Sequence, residues 1–110
     1  MTRFQVEADG AALEWLAAHK PEAPRVIAYE VHRCCGGGRI CRASVRELSQ
    51  GDRRENYATG SVEGGAEILI DRRAARRLPP RFGLTVSGLG PFKHLDLDLD
   101  GEQWGVLLYS

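Results

Sequence analysis

Short apolar runs separated by glycine-containing turns are the feature that most limits the folds open to this chain. The sequence has 13 glycines in 110 residues, and they cluster between runs such as RVIAYEV at 25–31 and AEILID at 66–71. Runs of this length that are rich in β-branched and aromatic residues are typical of strands, and glycine accepts the tight turns between them. The pattern therefore predicts a strand-rich fold. A chain of 110 residues is expected to form one domain, residues 1–110.

Alternation of apolar and polar residues predicts about seven or eight short strands in mixed orientation. They are expected at 3–7, 25–31, 40–48, 57–62 (a short edge strand), 66–71, 82–87, 94–100 and 104–109. Helical periodicity predicts a helix over 10–19 with Asp9 as its N-cap, and a second short helix, RRAARRL, after Asp71. Asp100-Gly101 is expected to form the hairpin turn before the last strand. The predicted class is α+β, with two short helices.

The charge balance disfavours several classes of partner. Fifteen basic residues match fifteen acidic ones, and the isoelectric point is near 6.8. Such a balance does not favour binding to nucleic acid or to an anionic membrane. No apolar run approaches the ~20 residues of a membrane-spanning helix, and acidic residues occur where a signal peptide would be apolar. We therefore expect a cytoplasmic protein without nucleic-acid or membrane partners.

All three cysteines lie in the segment HRCCGGGRIC, from His32 to Cys41. Cys34 and Cys35 are adjacent at the expected end of a strand, three glycines follow, and Cys41 lies on the returning strand. A glycine turn lets a metal, a cluster or another sulfur atom approach the backbone closely. Nearby cations favour the thiolate form, which is both the nucleophile and the metal ligand. The cations beside the thiols are Arg33, Arg39 and Arg42.

The residues leave three roles open for this segment. In the first, Cys34, Cys35 and Cys41, with His32 as a further candidate ligand, bind a soft metal or a cluster. In the second, Cys35 is a redox-active thiol that Cys34 or Cys41 resolves. In the third, the thiols are inert and the protein is an interaction module. Zinc is disfavoured because the spacings do not follow C-x₂₋₄-C, and an odd number of cysteines argues against a disulfide framework.

Two further patterns have simpler interpretations. DLDLDG at 96–101 matches the first half of a calcium loop, but Leu107 occupies the position of the required glutamate, and the alternation favours a strand. Four arginines on the second helix could hold phosphate or an acidic partner, although a solvated helix face is favoured. They are Arg72, Arg73, Arg76 and Arg77. No Ser-His-Asp order, P-loop or dinucleotide fingerprint points to an enzyme.

The order of elements, together with short motifs, resembles the HesB/IscA-like family of A-type iron–sulfur carriers. FQVEADGAALEWL resembles the family's opening strand and helix, and Cys35-Gly36-Gly37 falls where the family has Cys-Ser-Gly. GGAEILIDRRAARRL resembles the family's strand that leads into a short helix, and the similarity extends to about Leu89. The doubled cysteine is similar to a selenoprotein-related subgroup with a CC motif, in which redox thiol chemistry is expected.

The resemblance implies a HesB-like fold with a thiol site at Cys35, or at Cys34 if the alignment shifts by one residue. It implies iron or an iron–sulfur cluster as the cofactor, and iron–sulfur assembly or thiol-redox proteins as partners. Family members that carry clusters have a Cys-Gly-Cys near the C-terminus, whereas this chain has no cysteine after Cys41. A homodimer could bridge a metal or a cluster with Cys34, Cys35 or Cys41 from each subunit.

Overall fold

One seven-stranded mixed sheet organises the residues that the computed structural model describes, which are 4–19, 23–33, 39–62 and 67–109. Its strands are β1 (Phe4–Ala8), β2 (Arg25–Arg33), β3 (Arg39–Glu47), β4 (Tyr57–Val62), β5 (Glu67–Asp71), β6 (Arg81–Ser87) and β7 (His94–Asp98). The helices are α1 (Gly10–Ala18), α2 (Arg72–Ala75) and α3 (Gly101–Tyr109). The predicted α+β class with many short strands is confirmed for this part of the chain.

The sheet is nearly closed on itself. Its strand order is β3-β2-β5-β4-β1-β6-β7. β1 lies parallel to β4 and β6, and β2 lies parallel to β5, while the pairs β2–β3, β4–β5 and β6–β7 are antiparallel. The edge strands β3 and β7 approach each other without forming a ladder, so a single seam remains. This curvature encloses one face of the sheet.

The enclosed face carries the hydrophobic core, because alternate residues of a strand share a face. Ile27, Ile70 and Leu84 on three different strands are completely buried. Each helix adds apolar side chains to the same cluster. These side chains are Ala12 and Leu16 of α1, Ala74 of α2 and Leu107 of α3.

The first helix begins where the sequence predicts it. The Asp9 carboxylate accepts a hydrogen bond from the Ala12 N–H at 2.8 Å and another from the Thr85 hydroxyl at 2.6 Å. These hydrogen bonds, the one from Thr85 above all, lower the pKa of the Asp9 carboxyl below its ordinary value. The cap thereby joins α1 to β6. Asp71 caps α2 in a similar way through the Arg73 N–H at 2.8 Å, so both predicted N-caps are confirmed.

The C-terminal segment is helical, so the predicted strand over 104–109 and the hairpin turn at Asp100-Gly101 are wrong. The Asp100 carboxylate accepts from the Gln103 N–H at 2.7 Å, and the Gln103 side-chain oxygen accepts from the Asp100 N–H at 3.1 Å. This reciprocal pair is a capping box, and it starts α3. The described residues thus contain three α-helices where two were expected. No helix among them is long and apolar enough to cross a membrane.

β4 is an interior strand, so its predicted position at an edge of the sheet is wrong. It pairs with β5 on one side and with β1 on the other. The parallel pairing aligns Phe4 with Gly60, two residues that are far apart in the sequence. Local alternation reports which residues share a face and carries no information about such a distant partner.

The turn after β6 depends on Gly88. Its φ is +94°, and a Cβ atom there would lie 2.2 Å from the carbonyl oxygen of Phe92. Gly90 in the same turn also has a positive φ of +57°, but a Cβ atom there would meet nothing within 4 Å. Backbone conformation and lack of space therefore both require glycine at 88, whereas conformation alone favours it at 90.

We expect Gly88→Ala to lower the free energy of unfolding by at least about 3 kcal/mol, because conformational strain and steric overlap add. Gly90→Ala is the matched control and should cost only about 1 kcal/mol, the penalty for a left-handed alanine. Urea denaturation of the two variants measures both losses. Equal losses would contradict the close approach of Gly88 to Phe92.

Candidate functional site

The cysteine segment, His32 to Cys41, includes the end of one and the start of the other of the two longest strands of the described sheet. β2 and β3 each contain nine residues and are paired from Arg25 opposite Glu47 to Arg33 opposite Arg39. Residues 34–38, which include Cys34 and Cys35, connect the paired ends and lie outside the described residues. One regular antiparallel ladder therefore anchors both ends of the segment.

The other two candidate ligands belong to the ladder. Cys41 pairs with Val31, and His32 pairs with Ile40. The prediction that Cys41 lies on the returning strand is therefore confirmed. Later in β3, side chains alternate between half-buried positions at Ala43 and Val45 and exposed positions at 42, 44 and 46, which matches the predicted alternation.

The end of this hairpin that leads to the thiols projects beyond the rest of the sheet. β5 pairs with β2 only from Arg25 to Ile27. Beyond Ile27, β3 is the only strand that pairs with β2 among the described residues, and Val31 is 41% exposed. A two-stranded ribbon alone is marginally stable in water. The ribbon therefore needs support from elements outside the sheet.

Tyr29 supplies part of this support. Its ring is 3% exposed, and its hydroxyl donates a hydrogen bond to the carbonyl oxygen of Leu107 in α3 at 2.6 Å. Arg77, just after α2, donates to the Tyr29 hydroxyl at 3.3 Å and to the same Leu107 carbonyl at 3.5 Å. The side chain of one β2 residue thus connects the ribbon with the C-terminal helix and with the segment after α2.

Arg73 of α2 contacts the backbone and the ring of the same tyrosine. Its Nη2 donates to the Tyr29 carbonyl oxygen at 2.6 Å, and its guanidinium carbon lies 5.8 Å from the ring centroid. Arg73 also pairs with Asp71 at 3.1 Å, which holds the guanidinium in place. The prediction that these arginines form a solvated helix face is therefore correct only in part. Arg73 and Arg77 both form hydrogen bonds with Tyr29 of the hairpin.

The hairpin end is rich in cationic residues. Arg33 and Arg39 are directly opposite each other in the ladder and flank the thiol segment. Arg42, exposed on β3, lies opposite Glu30 on β2. Of these three arginines, Arg42 is therefore the one with an acidic residue directly opposite it in the ladder. An excess of positive charge favours the thiolate form of a nearby cysteine.

No group of three His, Cys, Asp or Glu residues within the described ranges is arranged to hold a metal ion. The aspartates of DLDLDG serve the backbone instead: Asp96 accepts from the Leu97 N–H at 2.8 Å, and Asp100 caps α3. Leu95 and Leu97 are buried in β7. The strand interpretation of this segment is confirmed.

A pocket of about 190 Å³ at the opposite end of β2 was not predicted from the sequence. Its lining includes Trp15, His19, Arg25, Arg46, Glu47 and His94. Each histidine Nδ1 lies about 3 Å from a backbone carbonyl oxygen, 3.0 Å for His19 and 2.9 Å for His94, so each Nδ1 carries the proton. The two ends of β2 are about 26 Å apart at about 3.3 Å per residue, so this pocket lies far from Arg33, the residue that leads into 34–38.

Asp52 ties the end of β3 to the start of β4. Its carboxylate accepts from both terminal nitrogens of Arg46 at 2.6 and 2.8 Å and from the Tyr57 hydroxyl at 2.9 Å. It also accepts from the N–H and the hydroxyl of Ser49. The Arg46 bonds, with those from Ser49 and Tyr57, hold the pKa of the Asp52 carboxyl far below its ordinary range. Burial and the Asp52 carboxylate raise the pKa of Tyr57.

Comparison with known proteins assigns no family to this chain. No family profile matches the sequence, and no curated protein matches it.

Tyr29→Phe is expected to lower the free energy of unfolding by about 1–2 kcal/mol, because the buried Leu107 carbonyl loses its best donor. The loss should also loosen the hairpin locally, so amide hydrogen exchange should become faster at 39–43. Tyr57→Phe is the control, since it removes a tyrosine hydroxyl at the other end of β3. Unchanged exchange at 39–43 in Tyr29→Phe would contradict the bracing role.

Asp52 should contribute to the pH dependence of stability. Its folded pKa lies below the unfolded value of about 3.9, so its contribution is present above that pH and is lost on acidification toward the folded pKa. Asp52→Asn should therefore be less stable than the parent protein at about pH 7, and the difference in stability should shrink steadily as the pH falls below about 5. Urea denaturation across this range tests the prediction, and parallel curves would refute it.

Proposed function

We propose that this protein is a HesB-like thiol protein of the A-type iron–sulfur carrier class. In this proposal, Cys34, Cys35 and Cys41 bind iron, an iron–sulfur cluster or another soft metal. The observation that carries the proposal is the continuous pairing of β2 with β3 up to Arg33 opposite Arg39. This ladder supports the proposal because all three cysteines lie within residues 34–41 of the sequence, the part of the chain that continues from its paired end.

The chemistry of the segment suits a soft metal. Thiolates are soft ligands that select iron–sulfur clusters and soft ions over hard ones such as magnesium. The cationic residues that flank the segment favour the thiolate, and the three glycines add no side chains that would crowd a cluster. The bracing of Tyr29 by α2 and α3 supports the proposal further, because a metal site requires its ligands to be presented on a stable scaffold.

The number of ligands indicates a shared site. A cluster is commonly held by four cysteine thiolates, and this chain has three cysteines in total. A second copy of the chain would complete the set, because a homodimer related by twofold symmetry supplies the same residues twice. Iron–sulfur assembly or thiol-redox proteins in the cytoplasm, where thiols stay reduced, are the proposed partners.

The element order adds support for the HesB-like fold. A strand and a capped helix precede the hairpin that carries the cysteines, and β5 leads directly into α2 at Asp71. This is the order that the resemblance implies for the first part of the chain. The C-terminal part has α3 and no Cys-Gly-Cys, so its role in the proposal is to brace the hairpin through Leu107.

Anaerobic reconstitution with ferrous iron and sulfide tests the proposed function. The parent protein should turn brown, with a thiol-dependent absorbance and a dimeric mass. Cys35→Ser should reduce the bound iron by at least about tenfold, because a ligand is lost. His32→Gln and His94→Gln form a matched pair: the first tests a candidate ligand of the segment, and the second should leave iron binding unchanged.

A parent protein that stays colourless and binds neither iron nor another soft metal would contradict metal binding. The redox alternative would then predict that mild oxidation removes free thiols, that a dithiol reductant restores them, and that Cys35→Ser abolishes the cycle. Retention of full iron binding by Cys35→Ser would also refute the assignment of Cys35 as a ligand.

A further inference from the structure

An open pocket of about 250 Å³ lies between α2 and the first residues of β1 and β4. Its lining residues are Phe4, Ala58, Arg72, Ala75 and Arg76. Three of them are apolar and two carry a guanidinium group, and no acidic side chain lines the pocket in the described part of the chain. The pocket therefore combines an apolar surface with uniformly positive charge.

The two arginines are neighbours on one helical face. The Arg76 N–H donates to the Arg72 carbonyl oxygen at 3.3 Å. The two residues are therefore related as i and i+4 in one helical turn. Like charges at this spacing repel each other. A bound anion would relieve that repulsion.

The hydrogen bonds of these arginines leave their charge uncompensated. Arg72 donates through Nε and Nη2 to the carbonyl oxygen of Glu55, at 3.2 and 2.9 Å, and a carbonyl group is a neutral acceptor. This contact fixes the guanidinium and leaves Nη1 available. Arg76 is exposed, and within the described ranges its guanidinium group makes no hydrogen bond or ion pair.

Two nearby arginines outside the pocket differ in this respect. Arg54 pairs with Glu67, and Arg73 pairs with Asp71. Of these four arginines, Arg72 and Arg76 are the two that pair with no carboxylate among the described residues, although the net charge of the whole chain is zero.

We propose that this pocket binds a small phosphate monoester that carries a compact apolar group. A phosphate dianion matches two guanidinium groups in charge, and arginine recognises its oxygens through paired N–H donors. The apolar group would lie against Phe4, Ala58 and Ala75. Since a water molecule occupies about 30 Å³, the pocket itself has room for about eight non-hydrogen atoms of a ligand. This site is independent of the cysteines and of the function proposed for them.

Titration of the isotope-labelled protein with phenyl phosphate, followed by amide chemical shifts, tests the proposal. Saturable shifts are expected at Ala58 and Ala75. Inorganic phosphate, which lacks the apolar group, and phenol, which lacks the charge, should each bind at least about tenfold more weakly. No saturable shift at Ala58 or Ala75 would overturn the site, and equal binding of inorganic phosphate would overturn the assignment of an apolar group.

A pair of charge-matched variants separates the pocket from its general surroundings. Arg76→Gln should weaken phenyl phosphate binding at least about tenfold, because it removes a charge-assisted hydrogen bond. Arg53→Gln is the control, because it removes the same charge outside the pocket, where Arg53 lies 3.9 Å from the exposed carboxylate of Glu55. It should change the affinity for phenyl phosphate by less than about twofold. Equal weakening by both variants, or none by Arg76→Gln, would refute the role of the pocket.

Discussion

The hydrogen bond of the buried Tyr29 hydroxyl is the interaction on which the projecting end of the β2–β3 hairpin depends. It joins β2 to the carbonyl oxygen of Leu107 at 2.6 Å, at the point where β2 has lost its partner β5 and is paired with β3 alone. Leu107 is available only if α3 is folded, and the capping box of Asp100 and Gln103 begins that helix. The capping box of α3 therefore helps to hold a hairpin whose two strands lie more than fifty residues earlier in the sequence.

Local rules predicted much of the fold, because the interactions they describe are local. Asp9 and Asp71 cap helices through N–H groups within three residues, and alternation located most strands. The same kind of rule failed at Asp100-Gly101, since this dipeptide suits both a hairpin turn and a helix start. Gln103, three residues after Asp100, distinguishes the two, and it marks the capping box that the hairpin interpretation overlooked.

The candidate site was predictable only in part, for a related reason. The pattern placed Cys41 on the strand that returns from the glycine turn, and the β2–β3 register agrees. The bracing of that hairpin joins Tyr29 to Arg73, which are 44 residues apart, and no periodicity reports such a contact. A net charge of zero likewise concealed the local excess at Arg72 and Arg76, because composition averages over the whole surface. The pocket beside His19 and His94 arises where the end of α1 meets the seam between β3 and β7.

We propose that the cysteines of this segment bind a soft metal or an iron–sulfur cluster between two copies of the chain. The most direct measurement is the metal and acid-labile sulfide content of protein purified without oxygen, determined together with its mass in solution. The account predicts iron, or another soft metal, in a dimer, with the metal lost when the thiols are alkylated. A metal-free monomer with three unmodified thiols would contradict it.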